Sequence, residues 1–310
     1  MSDSRYRLVT RSDFDGLVCA VLLKQIDLID EIKFVHPKDM QDGVIEITGN
    51  DIVTNLPYVP EAYLVFDHHL SEKLRNPGQH SNHIIEPDTP SAARVVWNHY
   101  GGLSAFPADW VDMMEAVDKG DSAQFNRDEV LDSTGWNLLN FLMDARTGLG
   151  RFKEFKISNY SLMMDLIDYC KNHNIDEILA LPDVKERIEL YREHENLFKQ
   201  QLQRCATIHE NLVVLDLTGE ETIYAGNRFI IYALFPQCNI SIHKMWGFQK
   251  QNVVYATGKS IFDRGSKTNV GKLMLKYGGG GHKAAGTCQV KLEDADRVLT
   301  ELVKRITLEG

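Results

Sequence analysis

Ala62-Tyr63-Leu64-Val65-Phe66 is a short apolar run that stops abruptly at Asp67, His68 and His69. Five apolar residues are too few for an independent helix and about right for a buried strand. The residues that end such a strand are delivered to its carboxyl edge, where open α/β sheets form their ligand crevices. One acid and two imidazoles at that edge form a candidate metal-ligand cluster.

The flanking sequence repeats the same alternation. Tyr6–Thr10, Ile32–His36 and Asp51–Thr54 read as strands, and Leu17–Ile26 as an apolar helix between the first two. Strands joined by helices or long crossovers predict a doubly wound, mostly parallel sheet. The pattern then turns helical over Ser91–Tyr100, Pro107–Val117, Trp136–Arg146 and Tyr160–Asn172, and a long charged stretch runs from Val184 to Ile208. From Leu212 onwards short strands (212–217, 239–245, 253–257, 287–291) mix with helices at 228–235, 270–277 and 295–306, which predicts a smaller α+β domain. The expected division is therefore a domain over 1–183, a linker helix over 184–210 and a second domain over 211–310, a size in keeping with two cores for 310 residues.

Composition narrows the function classes. Hydrophobic content of 43% with 25% charged residues belongs to a folded globular chain, not a disordered one. The start, Met1-Ser2-Asp3-Ser4-Arg5, has no basic segment followed by an apolar one, and no run is long enough to span a bilayer, so the expectation is a cytoplasmic protein without a membrane partner. Five scattered cysteines, Cys19, Cys170, Cys205, Cys238 and Cys288, never in CxxC spacing, argue against a disulfide framework or a thiolate zinc site. The net charge of −10 opposes binding to long duplex nucleic acid. Within this acidic chain, residues 259–283 carry six basic side chains, among them Lys259 and Arg264, against the single acid Asp263, a net charge of +5. Such a patch suits a small anionic ligand better than a polymer.

Asp13 and Asp15 follow the first strand in Arg11-Ser12-Asp13-Phe14-Asp15-Gly16. Two carboxylates one residue apart at a strand end can serve a hard cation, while Asp15 as a plain helix N-cap is the structural alternative. Oxygen and imidazole donors without thiolate suit Mn²⁺ first, with Mg²⁺, Co²⁺ or Zn²⁺ as alternatives. Further along, Asp118 and Asp121 compete as a further carboxylate where an apolar helix meets a polar turn. Gly278-Gly279-Gly280-Gly281-His282-Lys283 reads either as a nest of backbone N–H groups for phosphate or as a helix C-cap and turn. Tyr255, Phe262 and Tyr277 lie near the basic segment as candidates for stacking on bases, with core packing as the ordinary alternative.

Asp13-Phe14-Asp15-Gly16, Asp67-His68-His69, Asp118 and Gly278–His282, in that order, resemble the DHH/DHHA1 phosphoesterase superfamily. It includes nanoRNA-degrading enzymes, dinucleotide phosphodiesterases, RecJ-type exonucleases and exopolyphosphatase-like proteins. The resemblance implies a DHH domain holding one or two Mn²⁺ ions and a DHHA1 domain that grips substrate. It makes Asp13, Asp15, His68 and Asp118 metal ligands, with His69 beside the scissile phosphate and Asp67 holding an imidazole in its tautomer. Lys259, Arg264, Gly279, Gly280, Gly281 and His282 would bind substrate. Two positions depart from the family pattern: Val9 stands where a histidine is frequent, and Asn55 where an aspartate usually bridges two metals, with Asp51 a poorer substitute at the strand's start. The implied activity is hydrolysis of short phosphorylated substrates, linear dinucleotides or very short oligoribonucleotides first. An exopolyphosphatase or pyrophosphatase-like enzyme and a catalytically degenerate nucleotide-binding protein are the competing readings; a homodimer is compatible with each.

Overall fold

Leu8, Val9 and Thr10 are buried without alternation along Tyr6–Arg11 (β1), the mark of a parallel strand covered on both faces. β1 pairs in parallel with Ile29–Val35 (β2) on one side and Asp51–Thr54 (β3) on the other, followed by Leu64–Asp67 (β4) and His83–Ile85 (β5), in the order β2-β1-β3-β4-β5. The strand order reverses between β1 and β3, so a crevice opens at their carboxyl ends. The computed structural model describes residues 5–310; Met1–Ser4, used above in reading the start of the chain, lie outside the described residues.

One face of this sheet is closed by an apolar cluster of Val9, Val35, Met40, Val53, Leu56 and Val65, which the segment around Ile45, Tyr58 and Val59 covers. The helix Phe14–Gln25 is buried from Phe14 to Leu23 and packs against Ala92–His99, Val111–Asp121 and Asn159–Asn172. That burial all round explains why its sequence carries no amphipathic stripe. Val9 is a core residue, so its departure from the family pattern leaves an apolar side chain in the cluster.

The second sheet holds Ala206–His209 (β6), Leu212–Asp216 (β7), Ile240–Trp246 (β8), Val253–Lys259 (β9), Gly280–Gly281 (β10) and Ala285–Val290 (β11), in the order β10-β11-β9-β8-β7-β6. Only β7 and β8 run parallel, as a mixed sheet requires. Leu212, Ile240, Tyr255, Val270 and Met274 form its core with Val298, Leu302 and Ile306 of the last helix, Ala295–Glu309.

The chain divides into two compact units, one taking in the chain up to Phe125 and Ser133–Glu189, the other Asn126–Asp132 and Leu190–Gly310. The division falls inside the long helix Pro182–Cys205 rather than at residues 183 and 210. Arg187 anchors the helix's start: it is fully buried, and its guanidinium donates to Asn159 Oδ1, Asp183 O and Ile157 O over the Phe155 ring. Asn126–Asp132 joins the second unit because Val130 is buried there, with Asn227 Nδ2 donating to Val130 O and Arg127 to Ala233 O.

Three short elements differ from expectation. The long helix ends at Cys205, and Ala206–His209 turns into a hairpin strand against β7. β-Branched Thr207 and Ile208 favour that ladder, and Glu210, at φ 53°, makes the turn. β5 and β10 are too short to leave a periodic signal.

Candidate active site

Asp13, at the end of β1, caps the helix Phe14–Gln25 by accepting from Gly16 N at 3.0 Å. The N-cap is thus Asp13, and Asp15 is released for another use. Gly16 makes this turn possible through its missing side chain: a Cβ there would stand 2.0 Å from Arg11 O and 2.7 Å from Thr10 Oγ1. Asp15 is 2% exposed, and its two oxygens accept from Ala92 N at 3.0 Å and Ala93 N at 2.7 Å. Those amides open the helix Ala92–His99, whose N-terminus favours a carboxylate. Even so, burial and then the neighbouring Asp121 carboxylate push the Asp15 carboxyl up to about 7. A counter-charge is called for at that point.

His68 follows β4. Its Nδ1 lies 3.3 Å from Thr89 O, and since a carbonyl only accepts, Nδ1 carries a proton, so that in the neutral ring the lone pair is on Nε2. Nε2 is buried and lies 2.9 Å from Asp121 Oδ2, at ion-pair distance but without the alignment of a hydrogen bond. Burial disfavours the His68 imidazolium, but Asp121 and Asp15 outweigh it and raise its pKa to about 9. Donor atoms of Asp15, His68 and Asp121 all fall within 4.8 Å of one another. Two carboxylates and an imidazole with an outward lone pair fit a divalent cation.

Asp121, not Asp118, is thus the carboxylate placed against His68. Asp118 lies one turn earlier on the helix Val111–Asp121 and is engaged elsewhere: Arg94 Nε donates to its Oδ2 at 2.8 Å and Ser91 Oγ to its Oδ1 at 2.7 Å. Ser91 also caps the helix that cradles Asp15, accepting from Arg94 N at 3.0 Å. Asp118, expected as a ligand, instead has its charge matched by Arg94 and orients Ser91, which caps the helix whose amides hold Asp15.

Asp13 stands outside the three-residue group. It pairs with Arg11 Nε at 2.9 Å and receives Asn55 Nδ2 at 3.3 Å. Asn55, at the end of β3 with φ 54°, keeps a buried Oδ1 that has no hydrogen bond among the described residues. A buried oxygen without a protein partner beside two strand ends suits a cation. Asp51 belongs to the structure of the sheet, bonded to Arg7 and Thr48 at the opposite end of β3. Asp67 is completely buried; one oxygen holds His69 Nδ1 at 2.7 Å and the other has no hydrogen bond among the described residues. Burial works against a charged His69, but Asp67 prevails and raises its pKa. Sequence reasoning passed over Arg11 and Arg146; the charge of Arg146 reaches Asp13 and Asp121 from the turn after Gly135–Met143.

In the second unit the glycine run is first a backbone device. Gly278 N, Gly279 N and His282 N donate to Leu275 O, Met274 O and Ala285 O. Those three amides are unavailable to the phosphate nest expected of Gly279, Gly280, Gly281 and His282. A Cβ on Gly281, at φ 146°, would meet Ala285 O at 2.3 Å. Lys259 is half-buried and donates to Ser266 O at 2.8 Å, whereas Arg264, His282 and Lys283 are exposed. Tyr255 is a core residue with its hydroxyl on Ala295 O, and Tyr277 donates to Glu301, leaving Phe262, 37% exposed, as the open ring.

Among the described residues no helix is long and apolar enough to cross a membrane. No protein-family profile matches the chain, and no curated protein does. Solved structures do. RecJ of Thermus thermophilus in complex with Mn²⁺ aligns with a TM-score of 0.52 at 14% identity over 99% of this chain and 52% of its own. CDC45 of Entamoeba histolytica gives 0.51 at 10% identity over 98% and 96%; at such identities both speak for the fold alone. The pGpG-specific phosphodiesterase PggH of Vibrio cholerae shares 73% of residues over 99% of this chain and 100% of its own, with a TM-score of 0.87. At that identity along both whole chains, and with Asp15, His68 and Asp121 gathered at the sheet's carboxyl edge, the chain belongs to the DHH/DHHA1 phosphoesterase family.

Proposed function

We propose that this chain is a metal-dependent phosphodiesterase that cleaves linear dinucleotides to mononucleotides, with pGpG as its foremost substrate. The observation that carries the reading is the convergence of Asp15, His68 and Asp121 in a chain 73% identical to a pGpG-specific phosphodiesterase. Asp15, His68 and Asp121 would hold the ion, Mn²⁺ by preference, with Asn55 Oδ1 and Asp13 at hand for a second. A divalent ion bound there supplies charge neutralisation and an acidified water.

The chain's own groups do the rest. Thr89 O keeps the proton on His68 Nδ1 and so keeps Nε2 turned to the ligand group. Asp67 fixes His69 by its Nδ1 and favours its charged form, which makes His69 a donor for the phosphate's developing charge. Arg11 and Arg146 offset the carboxylates around Asp13, and the basic segment from Lys259 to Lys283 attracts an anionic substrate. All five cysteines are free thiols, which agrees with a reducing, cytoplasmic setting.

Turnover of pGpG, pApA, polyphosphate and pyrophosphate under Mn²⁺ tests the proposal. Metal-dependent release of mononucleotides from a dinucleotide, with little action on pyrophosphate, is expected. Pyrophosphate hydrolysis without dinucleotide cleavage would reject it, and ligand binding without any turnover would make the chain a degenerate binding protein.

A further inference from the structure

A hollow of about 250 Å³ lies wholly within the second unit, lined by Arg127, Tyr232, Pro236, Ser260, Phe262 and Asp263. Its walls are built in advance. Ser260, nearly buried, accepts the amides of both Phe262 and Asp263 on its Oγ at 3.1 Å, and its own amide donates to Asn239 O. Asp263 Oδ1 accepts from Gly265 N at 2.8 Å, which fixes the carboxylate. Tyr232 is held by Gly258 O at 2.7 Å, and Arg127 by Ala233 O at 3.0 Å. Phe262 keeps its ring open to solvent and shares the lining with a carboxylate and a guanidinium.

This lining does not suit a phosphate. Asp263 is the one acid in an otherwise basic segment, and it sits in the hollow itself, where it would repel an anion and cancel Arg127. It does suit a flat base that presents hydrogen-bond donors. Aromatic rings stack on any base, but a carboxylate discriminates: guanine offers adjacent N1–H and N2–H groups, whereas adenine offers an acceptor at N1. Resting on the dinucleotidase reading above, we infer that this hollow is the subsite that reads guanine. Phe262 stacks on the purine, Asp263 accepts from its N1–H and N2–H, and Arg127 offers donors to its carbonyl edge.

Two measurements test this, with thermal unfolding confirming that each variant is folded. In the first, kcat/KM for pGpG and pApA is compared between the wild type, Asp263→Asn and Phe262→Ala. Asp263→Asn should narrow the preference for pGpG by on the order of 10–100-fold, the discrimination carried by one bidentate base contact. Phe262→Ala should raise KM for both substrates by roughly 10-fold and spare kcat. In the second, GMP and AMP are titrated calorimetrically into metal-free protein, where GMP should bind tighter and lose that advantage in Asp263→Asn. An unchanged pGpG to pApA ratio in Asp263→Asn, or equal binding of GMP and AMP by the wild type, overturns the inference. If neither dinucleotide is cleaved, the dinucleotidase reading falls, and the GMP titration still decides whether the hollow reads guanine.

Discussion

The two units carry their polar groups in opposite ways. At the carboxyl edge of the parallel sheet, Asp15, Asp67 and Asn55 are buried; Asp67 Oδ2 and Asn55 Oδ1 have no hydrogen-bond partner among the described residues, and His68 Nε2 meets only the Asp121 carboxylate there. In the second unit the basic residues are mostly exposed, and the amides of Gly278, Gly279 and His282 are spent on the backbone. Unmatched polar atoms in a core cost on the order of 1–3 kcal/mol each and persist where something outside the chain matches them. Exposed charges cost little and direct an encounter. The contrast fits the proposed division, in which the first unit binds the ion and the second selects the ligand.

The largest effect should follow the loss of a buried ligand. His68→Ala and Asp121→Asn should each abolish Mn²⁺ binding in electron paramagnetic resonance titrations and lower hydrolysis by more than about 100-fold, because even an outer partner of a ligating imidazole is worth 10–100-fold. Circular dichroism should show the fold intact. Full activity in either variant would break the contrast at its strongest point.

Next come the residues that fasten the site. Arg94→Ala strips Asp118 of its cation, and Asp118→Asn weakens the group that orients Ser91 Oγ; each should loosen the helix start whose amides hold Asp15 and weaken Mn²⁺ by about 10–100-fold. Simple electrostatics predicts the opposite sign for Arg94→Ala, since removing a cation attracts another. Tighter binding in that variant, beside a complete loss in Asp118→Asn, would restore Asp118 as a ligand.

A smaller change is expected from Gly281→Ala, where a left-handed backbone and a carbonyl at 2.3 Å oppose the methyl group. It should lower stability by about 1–3 kcal/mol in denaturant titrations while Mn²⁺ affinity stays unchanged. Smallest of all, Lys283→Ala on the exposed rim should shift stability by less than about 0.5 kcal/mol and act only through a higher KM. A fall in kcat would bring this lysine into the chemistry and blur the division.

Much of this fold was legible from periodicity. The five-residue apolar run before Asp67 is β4 and its immediate approach, and the apolar stretch after Gly16 is the helix buried on all sides. Elements of two to four residues such as β5, β6 and β10 were not, because their pairing energy comes from distant strands. The excursion of Asn126–Asp132 into the second unit likewise depends on Asn227 and Ala233, about a hundred positions away. Local sequence holds no trace of such partners.

By itself the sequence determined the kinds of donor, their order along the chain and their delivery at strand ends, since those depend on local apolar runs and on which side chains can bind a cation. Tertiary structure alone sets Asp118 and Asp121 apart. They sit three residues apart on one helix, and what separates them is that Arg94 and Ser91 neutralise the first while His68, more than fifty residues upstream, meets the second. A carboxylate's role is set by the charges folded against it, and those arrive from elsewhere in the chain.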